Sequence, residues 1–267
     1  MSFPTEQFLG GVAAAAAVAI AARRARALSR SGAVATALLG SVTFGLGGVA
    51  WAAPLLAFFV FSSLLSAISK RRARRDFAEV FEKGGERDAG QVLANGGVAG
   101  VAVVLNFLHP DPLWYAAFVG SLSAAAADTW GTEIGVLSRG SVRSVLTFRL
   151  VPPGTSGGVS LVGSVGSVAG ACLVAWVGAL FVGGSLRFAI GATVAGIAGA
   201  FADSALGATV QAGYRCPHCL ADTERKEHCG AATELVRGFA WANNDAVNLA
   251  CCLVGAIAAA ALLVWSE

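Results

Sequence analysis

The sequence predicts an all-α membrane protein, a bundle of about eight spanning helices, and three observations carry that expectation. Of 267 residues, 56% are hydrophobic and only 13% charged, about half the charged share of a soluble domain, and mean hydropathy is +0.69. Apolar stretches near the ~20 residues that a spanning helix needs recur along the whole chain. Lys and Arg collect in alternate connecting segments, as in a multi-pass topology. With 16 acids against 19 bases and so much apolar sequence, the chain is neither disordered nor a nucleic-acid binder.

The expected spans form a single integral membrane domain over 1–267 and run over 8–22, 33–49, 53–69, 91–108, 113–137, 159–182, 188–210 and 243–264. Seven and nine are the neighbouring counts. The first span is short, and Arg23, Arg24 and Arg26 follow its apolar run, whereas a cleavable signal peptide puts its positive region first; a retained span is expected. Segments 50–52 and 109–112 carry no Lys or Arg, and the connection between spans six and seven carries Arg187 alone. The other four connections, 23–32, 70–90, 138–158 and 211–242, hold 18 of the 19 bases. Because Lys and Arg concentrate in cytoplasmic loops, those four should face the cytoplasm, with both termini outside and the cell membrane as the location.

Four acids interrupt the apolar sequence: Asp128 and Glu133 in span five, Asp203 in span seven and Asp245 at the start of span eight. All fall in the inner half of the expected spans. An ionised side chain there costs several kcal/mol and by default faces a cavity, a metal or a partner. Ala127-Asp128-Thr129 and Ala202-Asp203-Ser204 echo each other, each after a run of small residues and before a glycine. If spans four–five and six–seven are related, they form a parallel internal repeat whose acid–hydroxyl pairs face a common centre. Thr129 and Glu133 are i,i+4 neighbours, as are Asn244 and Asn248, so each helix presents an oxygen-rich stripe with Asp245 beside it. Such oxygens suit Mg²⁺, which binds one or two carboxylates plus substrate phosphates.

The basic loop 70–90 runs from Lys70-Arg71-Arg72 to Gly84-Gly85-Glu86-Arg87, and Asn95 follows at the mouth of span four, where an anion can dock at a helix N-terminus. Its bases also serve topology and anionic lipid. Loop 138–158 supplies Arg139 and Arg149, then Gly154-Thr155-Ser156-Gly157-Gly158, a turn whose backbone N–H groups suit phosphate beside guanidinium forks. No Gly-Lys-Ser/Thr occurs, so this is not a Walker A loop. Loop 211–242 contains Cys216-Pro217-His218-Cys219 and His228-Cys229. Cys216, Cys219, His228 and Cys229 make a closed tetrahedral Zn²⁺ set, structural because no ligand position stays open, with His218 as the substitute. The remaining cysteines, Cys172, Cys251 and Cys252, lie in apolar runs, which argues against a disulfide framework.

Five segments taken together resemble one family: Gln91-Val92-Leu93-Ala94-Asn95-Gly96-Gly97; Asp128-Thr129 with Glu133-Ile134-Gly135; Thr147, Arg149, Val151-Pro152, Gly154-Thr155 and Gly157; Ala202-Asp203-Ser204 with Gly207-Ala208-Thr209 and Gln211; and Asn244-Asp245 with Val247-Asn248. Over roughly 30–265, in this order, the sequence is similar to the integral-membrane family catalogued as domain of unknown function 92, which includes transmembrane protein 19 and the plant phytyl-phosphate kinase. The resemblance implies a polytopic helical protein. In the plant branch it also implies transfer of a phosphoryl group from a nucleoside triphosphate, CTP or similar, to a prenyl monophosphate. The Cys/His loop resembles that of prokaryotic members, so the exact prenyl substrate does not carry over.

The residues and the resemblance converge on a Mg²⁺-dependent phosphotransferase. Asp128, Asp203 and Asp245 would hold the metal, and Arg87, Arg149 and Arg139 would neutralise developing charge. Glu133 would position groups, and the prenyl chain would lie in an apolar groove open to lipid. A CTP-dependent nucleotidyltransferase making a CDP-lipid needs the same site. A secondary transporter also uses midplane acids, but its path needs polar groups through the outer half, where the sequence offers mainly Asn106, His109 and Asp111. A structural scaffold leaves the buried acids unexplained, and self-association stays open.

Overall fold

The computed structural model describes residues 4–73, 86–137 and 140–264. Arg139 and most of the basic loop 70–90, including Gly84-Gly85, lie outside the described residues.

Eight α-helices follow the expected order: α1 (Thr5–Arg24), α2 (Arg30–Gly47), α3 (Val49–Ala73), α4 (Ala89–Leu108), α5 (Pro112–Leu137), α6 (Leu161–Ala179, extended by a 3₁₀ turn to Val182), α7 (Leu186–Thr209) and α8 (Asn244–Val264). Local chemistry sets their ends. Ser29, Asp88, Ser160 and Ser185 cap α2, α4, α6 and α7 by accepting from Gly32, Gln91, Gly163 and Phe188 N–H groups at 2.9–3.2 Å. Pro112 opens α5, where its missing N–H has no partner to lose. Gly48 at φ +72° ends α2 and allows α3 to begin at the next residue.

Six of these helices are long and apolar enough to cross a membrane by length and composition: α1, α3, α4, α6, α7 and α8. The sequence expectation of eight spans is therefore met in helix number, while α2 and α5 fall short of that measure. α5 carries Asp128 and Glu133 together with several hydroxyls, and α2 is only 18 residues of Gly-, Ser- and Thr-rich sequence. Both are nevertheless integral to the bundle. From Tyr115 to Ala127 every residue of α5 is buried, because α3, α4, α6, α7 and α8 surround it. A helix apolar on all sides belongs in such a centre.

Small residues let the neighbours close in. Cβ atoms added at Gly163, Gly166 and Gly170 of α6 would come within 2.9 Å of the α5 backbone, and one at Gly199 of α7 would come within 2.7 Å of the Cys251 carbonyl on α8. Near the other end of α5, Trp51 packs on Tyr115 and Phe118 with ring centroids 5.0 and 4.8 Å apart, and the Tyr115 hydroxyl sits 3.0 Å from the Ala50 carbonyl. Outward-facing Leu9, Val34, Leu64, Val101, Val165, Ile190 and Leu253 are exposed, as lipid-facing side chains must be. The protein is a mostly helical, polytopic membrane protein.

Short β-structure, absent from the all-α expectation, occupies two of the connections at one end of the bundle, here termed the loop end. Strands β1 (Val142–Ser144), β2 (Leu150–Val151) and β3 (Gly158–Val159) pair in the order β2-β1-β3. In the Cys/His connection, β4 (Gly213–Arg215) lies between β5 (Asp222–Thr223) and β8 (Glu234–Arg237), and β6 (Glu227–His228) pairs with β7 (Ala231–Ala232). Strands of two to four residues carry too few alternations for their period to show in sequence.

Candidate functional site

The two acids paired by sequence echo meet in space. Asp128 on α5 and Asp203 on α7 are within hydrogen-bonding reach of each other. Asp128 lies nine residues, about 13 Å, from the loop end of α5, and Asp203 lies six residues, about 9 Å, from that of α7. Asp203 Oδ2 is buried without a hydrogen-bond partner among the described residues. Two largely desolvated carboxyls in contact need a proton or a cation between them, because like charges this close cannot both stay ionised. Oxygen donors held this way, one of them unsatisfied, fit a hard cation such as Mg²⁺. Thr129 and Ser204 follow the acids in half-buried positions.

The remaining polar groups extend from this pair in two directions. Towards α3 and α4, Asp128 feels the charge of Glu133, whose Oε1 accepts from Ser66 Oγ at 2.5 Å. Glu133 in turn faces the Arg87 guanidinium, a half-buried cation whose pKa is pushed down by desolvation while the Glu133 charge opposes the shift. Arg87 is locked by its backbone: its N–H donates to the Ala27 carbonyl at 3.0 Å, and its carbonyl accepts from Ser29 N–H at 2.9 Å. Towards the Cys/His connection, the Glu224 charge acts on Asp203. Glu224 Oε1 accepts from Ser156 Oγ at 2.8 Å and from Gln211 Nε2 at 2.9 Å, joining three segments. Asn244 shares a small polar notch with Glu224 and Gln211.

Asp245 is placed differently. It opens α8 against the first turn of α4, so close that a Cβ on Gly90 would meet its Oδ2 at 2.5 Å. Asn248, one turn on, is buried, and Asn95 on α4 donates to the Gln91 carbonyl at 2.9 Å while its own carbonyl receives Cys252 Sγ at 3.5 Å. The Gly-rich turn packs against α7: a Cβ on Gly157, at φ +76°, would lie 2.6 Å from the Ser204 carbonyl and 2.5 Å from Ala208 Cβ. Gly154 (φ +85°), Thr155 and Gly158 complete that turn, with Thr155 Oγ1 donating to the Pro152 carbonyl at 2.7 Å. Arg149 is exposed in the connection between β1 and β2.

Ser66 and Glu224 escaped sequence reasoning. A signal for Ser66 exists, because Ser62, Ser66 and Ser69 recur at helical spacing in an otherwise apolar α3 and all are buried. Glu224 has no local signal, since its place follows from the fold of the Cys/His connection.

That connection brings Cys216, Cys219, His228 and Cys229 together, with one ligand atom from each lying within 4.8 Å of all the others. Cys219 Sγ and Cys229 Sγ are 3.8 Å apart, and His228 Nδ1 lies 3.4 and 3.2 Å from them. A tetrahedral zinc with Zn–S of about 2.3 Å has S···S edges of about 3.8 Å, so the spacing fits. Cys229 and Gly230, at φ +52° and +73°, form a two-residue turn between β6 and β7 that lets the adjacent His228 and Cys229 both reach the centre. His218, the sequence substitute, is exposed and stands outside the cluster. The Cys219 backbone N–H donates to Cys216 and holds that thiol down at about 6, with burial opposing. Contact with Cys219, reinforced by burial, pushes Cys229 up to about 11. Thiols this close lose their protons together only around a cation, and the four residues can hold a metal such as zinc.

Comparisons with known proteins agree with this architecture. Residues 13–256 match the family described as integral membrane protein DUF92. An uncharacterized membrane protein of Methanocaldococcus jannaschii is 29% identical over 194 residues, covering 72% of this chain and 78% of that protein. Protein PGR of Arabidopsis thaliana is 30% identical over 223 residues, covering 73% of this chain and 75% of that protein. Protein VTE6, chloroplastic, of the same plant is 27% identical over 238 residues, covering 87% of this chain and 64% of that protein. No solved structure matches the chain. With the match running from α1 into α8, the chain belongs to the DUF92 family of integral membrane proteins.

Proposed function

We propose that the protein is a membrane prenyl-phosphate kinase, transferring the γ-phosphoryl group of a nucleoside triphosphate, CTP or similar, to an isoprenoid monophosphate such as phytyl or geranylgeranyl phosphate. The observation that carries this reading is the Asp128–Asp203 contact, with its unsatisfied oxygen, set about two helical turns inside the bundle from the loop end. The family resemblance, which reaches a plant prenyl-phosphate kinase, supports the choice of reaction. The long basic loops face the cytoplasm in this reading, where nucleotides are, both termini lie outside in the cell membrane, and α2 and α5 cross with the other six helices.

The chemistry asks little of a base. The lipid phosphate is already ionised, so one of its oxygens bonds to the γ-phosphorus while the bond from that phosphorus to the β–γ bridging oxygen breaks, releasing the nucleoside diphosphate. Mg²⁺, held by Asp128 and Asp203 with Asp245 near the mouth, would supply charge neutralisation on the phosphates. Arg87 binds and orients the lipid phosphate, and Glu133, fixed by Ser66, holds Arg87 in place. Arg149 and the turn Gly154–Gly158 would bind the nucleotide, and the sequence assigns Arg139, outside the described residues, to the same role. A zinc held by Cys216, Cys219, His228 and Cys229 would be structural, and the fold of that connection sets Glu224 beside Asp203.

Asp128→Asn and Asp203→Asn test the assignment, since each keeps the side chain's size and removes its charge. Each should lower turnover by about 10²-fold or more while the protein still inserts, melts cooperatively and retains zinc. Turnover within a few-fold of the parent in both variants contradicts the site.

A further inference from the structure

The first four helices enclose a groove that the acid cluster does not use. It is a narrow slot with a cavity volume of about 100 Å³ that opens at its mouth. Its walls are almost wholly apolar, with Ala15, Leu39, Phe44, Leu55 and Phe58 among them, and Thr43 gives its hydroxyl to the Leu39 carbonyl at 2.8 Å. Ala14 on α1 and Leu56 on α3 line it and are exposed, so it opens sideways to the bilayer between those helices.

The polar lining is concentrated elsewhere. Arg87, Gln91 and Asn95 come from the segment that opens α4 at the loop end, and Thr36 joins them from α2, one turn beyond the Gly32 on which the Arg87 backbone rests. Thr36 Oγ1 is buried with no hydrogen-bond partner among the described residues. A buried hydroxyl left unsatisfied beside a half-buried guanidinium wants an acceptor, and an anion answers both. An apolar slot with one cationic, donor-rich end is complementary to a single-chain amphiphile with an anionic head.

We propose that this groove binds a single-chain lipid phosphate, its hydrocarbon along α1–α4 and its phosphate on Arg87 and Thr36. The inference deepens the phosphotransfer reading and rests on it for the lipid's identity as substrate. Arg87 faces Glu133, which adjoins Asp128, so the head group would sit where the acid pair begins.

The test reads binding without turnover. Purified protein in detergent, with no nucleotide, is titrated with farnesyl monophosphate, farnesol, inorganic phosphate and two-chained phosphatidic acid, with calorimetry as the readout. Farnesyl monophosphate should bind at least tenfold more tightly than farnesol, and inorganic phosphate and phosphatidic acid should not displace it. Arg87→Gln should cost at least tenfold for the monophosphate and little for the alcohol. Thr36→Val should weaken the monophosphate several-fold, and Ala14→Trp, which fills an exposed rim position, should weaken both prenyl ligands. Zinc content and melting temperature report whether each variant folds, and Thr36→Val and Ala14→Trp keep the test open if Arg87→Gln does not. Equal binding of monophosphate and alcohol, displacement by phosphatidic acid, or indifference to both Thr36→Val and Ala14→Trp overturns the proposal. Tight, Thr36-dependent binding with no diphosphate formed from any nucleotide keeps the groove and discards the kinase reading. Diphosphate formation unaffected by Ala14→Trp does the reverse.

Discussion

Asp203 is the residue on which the site turns, because it touches Asp128 on one side and feels Glu224 on the other. The residues around it show how little tolerance the site has. Gly157 is the sharpest case: its φ of +76° disfavours any side chain, and a Cβ there would strike the Ser204 carbonyl, the residue next to Asp203. Gly157→Ala should therefore lift the turn off α7 at a cost of about 1–3 kcal/mol, seen as a lower melting temperature together with reduced turnover. A variant that melts and turns over like the parent would show that the turn is not docked there. At this scale the sequence was informative where chemistry stood out from its background. Charges in apolar helices announced Asp128, Glu133, Asp203 and Asp245, and the repeated Ala-Asp-hydroxyl pattern foretold which two would meet. Glu224 was silent, because an acid in a polar loop is ordinary until the fold gives it neighbours, and Ser66 showed only as one of three serines at helical spacing in an apolar helix.

Among the elements, the Cys/His connection links a soluble β-structure to the membrane site. Its hairpins bury little apolar surface, and Leu220, Phe239 and Trp241 are exposed, so metal ligation is the main force available to hold five short strands and their turns in place. Purified protein should contain one zinc per chain, measurable by elemental analysis, and Cys219→Ser should lose it. Chelation should speed proteolysis within 213–237 while the helices stay intact, and turnover should fall indirectly as Glu224 loses its support. Absence of zinc at any stoichiometry would contradict the cluster. The helices were legible because apolar stretches of spanning length, capped by Ser, Asp and Asn, specify them without reference to tertiary structure. The complete burial of α5 was not, since an Ala-, Gly- and Ser-rich helix reads alike whether it faces lipid or five neighbours.

At the scale of the whole molecule, polarity is segregated. The acids within the helices, most of the arginines, the glycine-rich turn and the metal cluster lie towards one end, and the other end closes with short connections and an aromatic cluster around Tyr115. Such one-sidedness suits a reaction between a lipid and a cytoplasmic solute better than a path across the bilayer. It follows that a tag on either terminus should be accessible to protease added to intact cells, and that a cysteine placed at Arg149 should react with an impermeant reagent only after lysis. The opposite pattern would invert the orientation. The central claim concerns the bond that breaks in the nucleotide. Incubating the purified protein with Mg²⁺, CTP or ATP labelled separately in the α- and γ-phosphates, and geranylgeranyl monophosphate, followed by mass identification of the lipid product, tests it most directly. The account predicts geranylgeranyl diphosphate carrying the γ-label, with nucleoside diphosphate released. A lipid carrying the α-label with pyrophosphate released, or no lipid product from either donor, would contradict it.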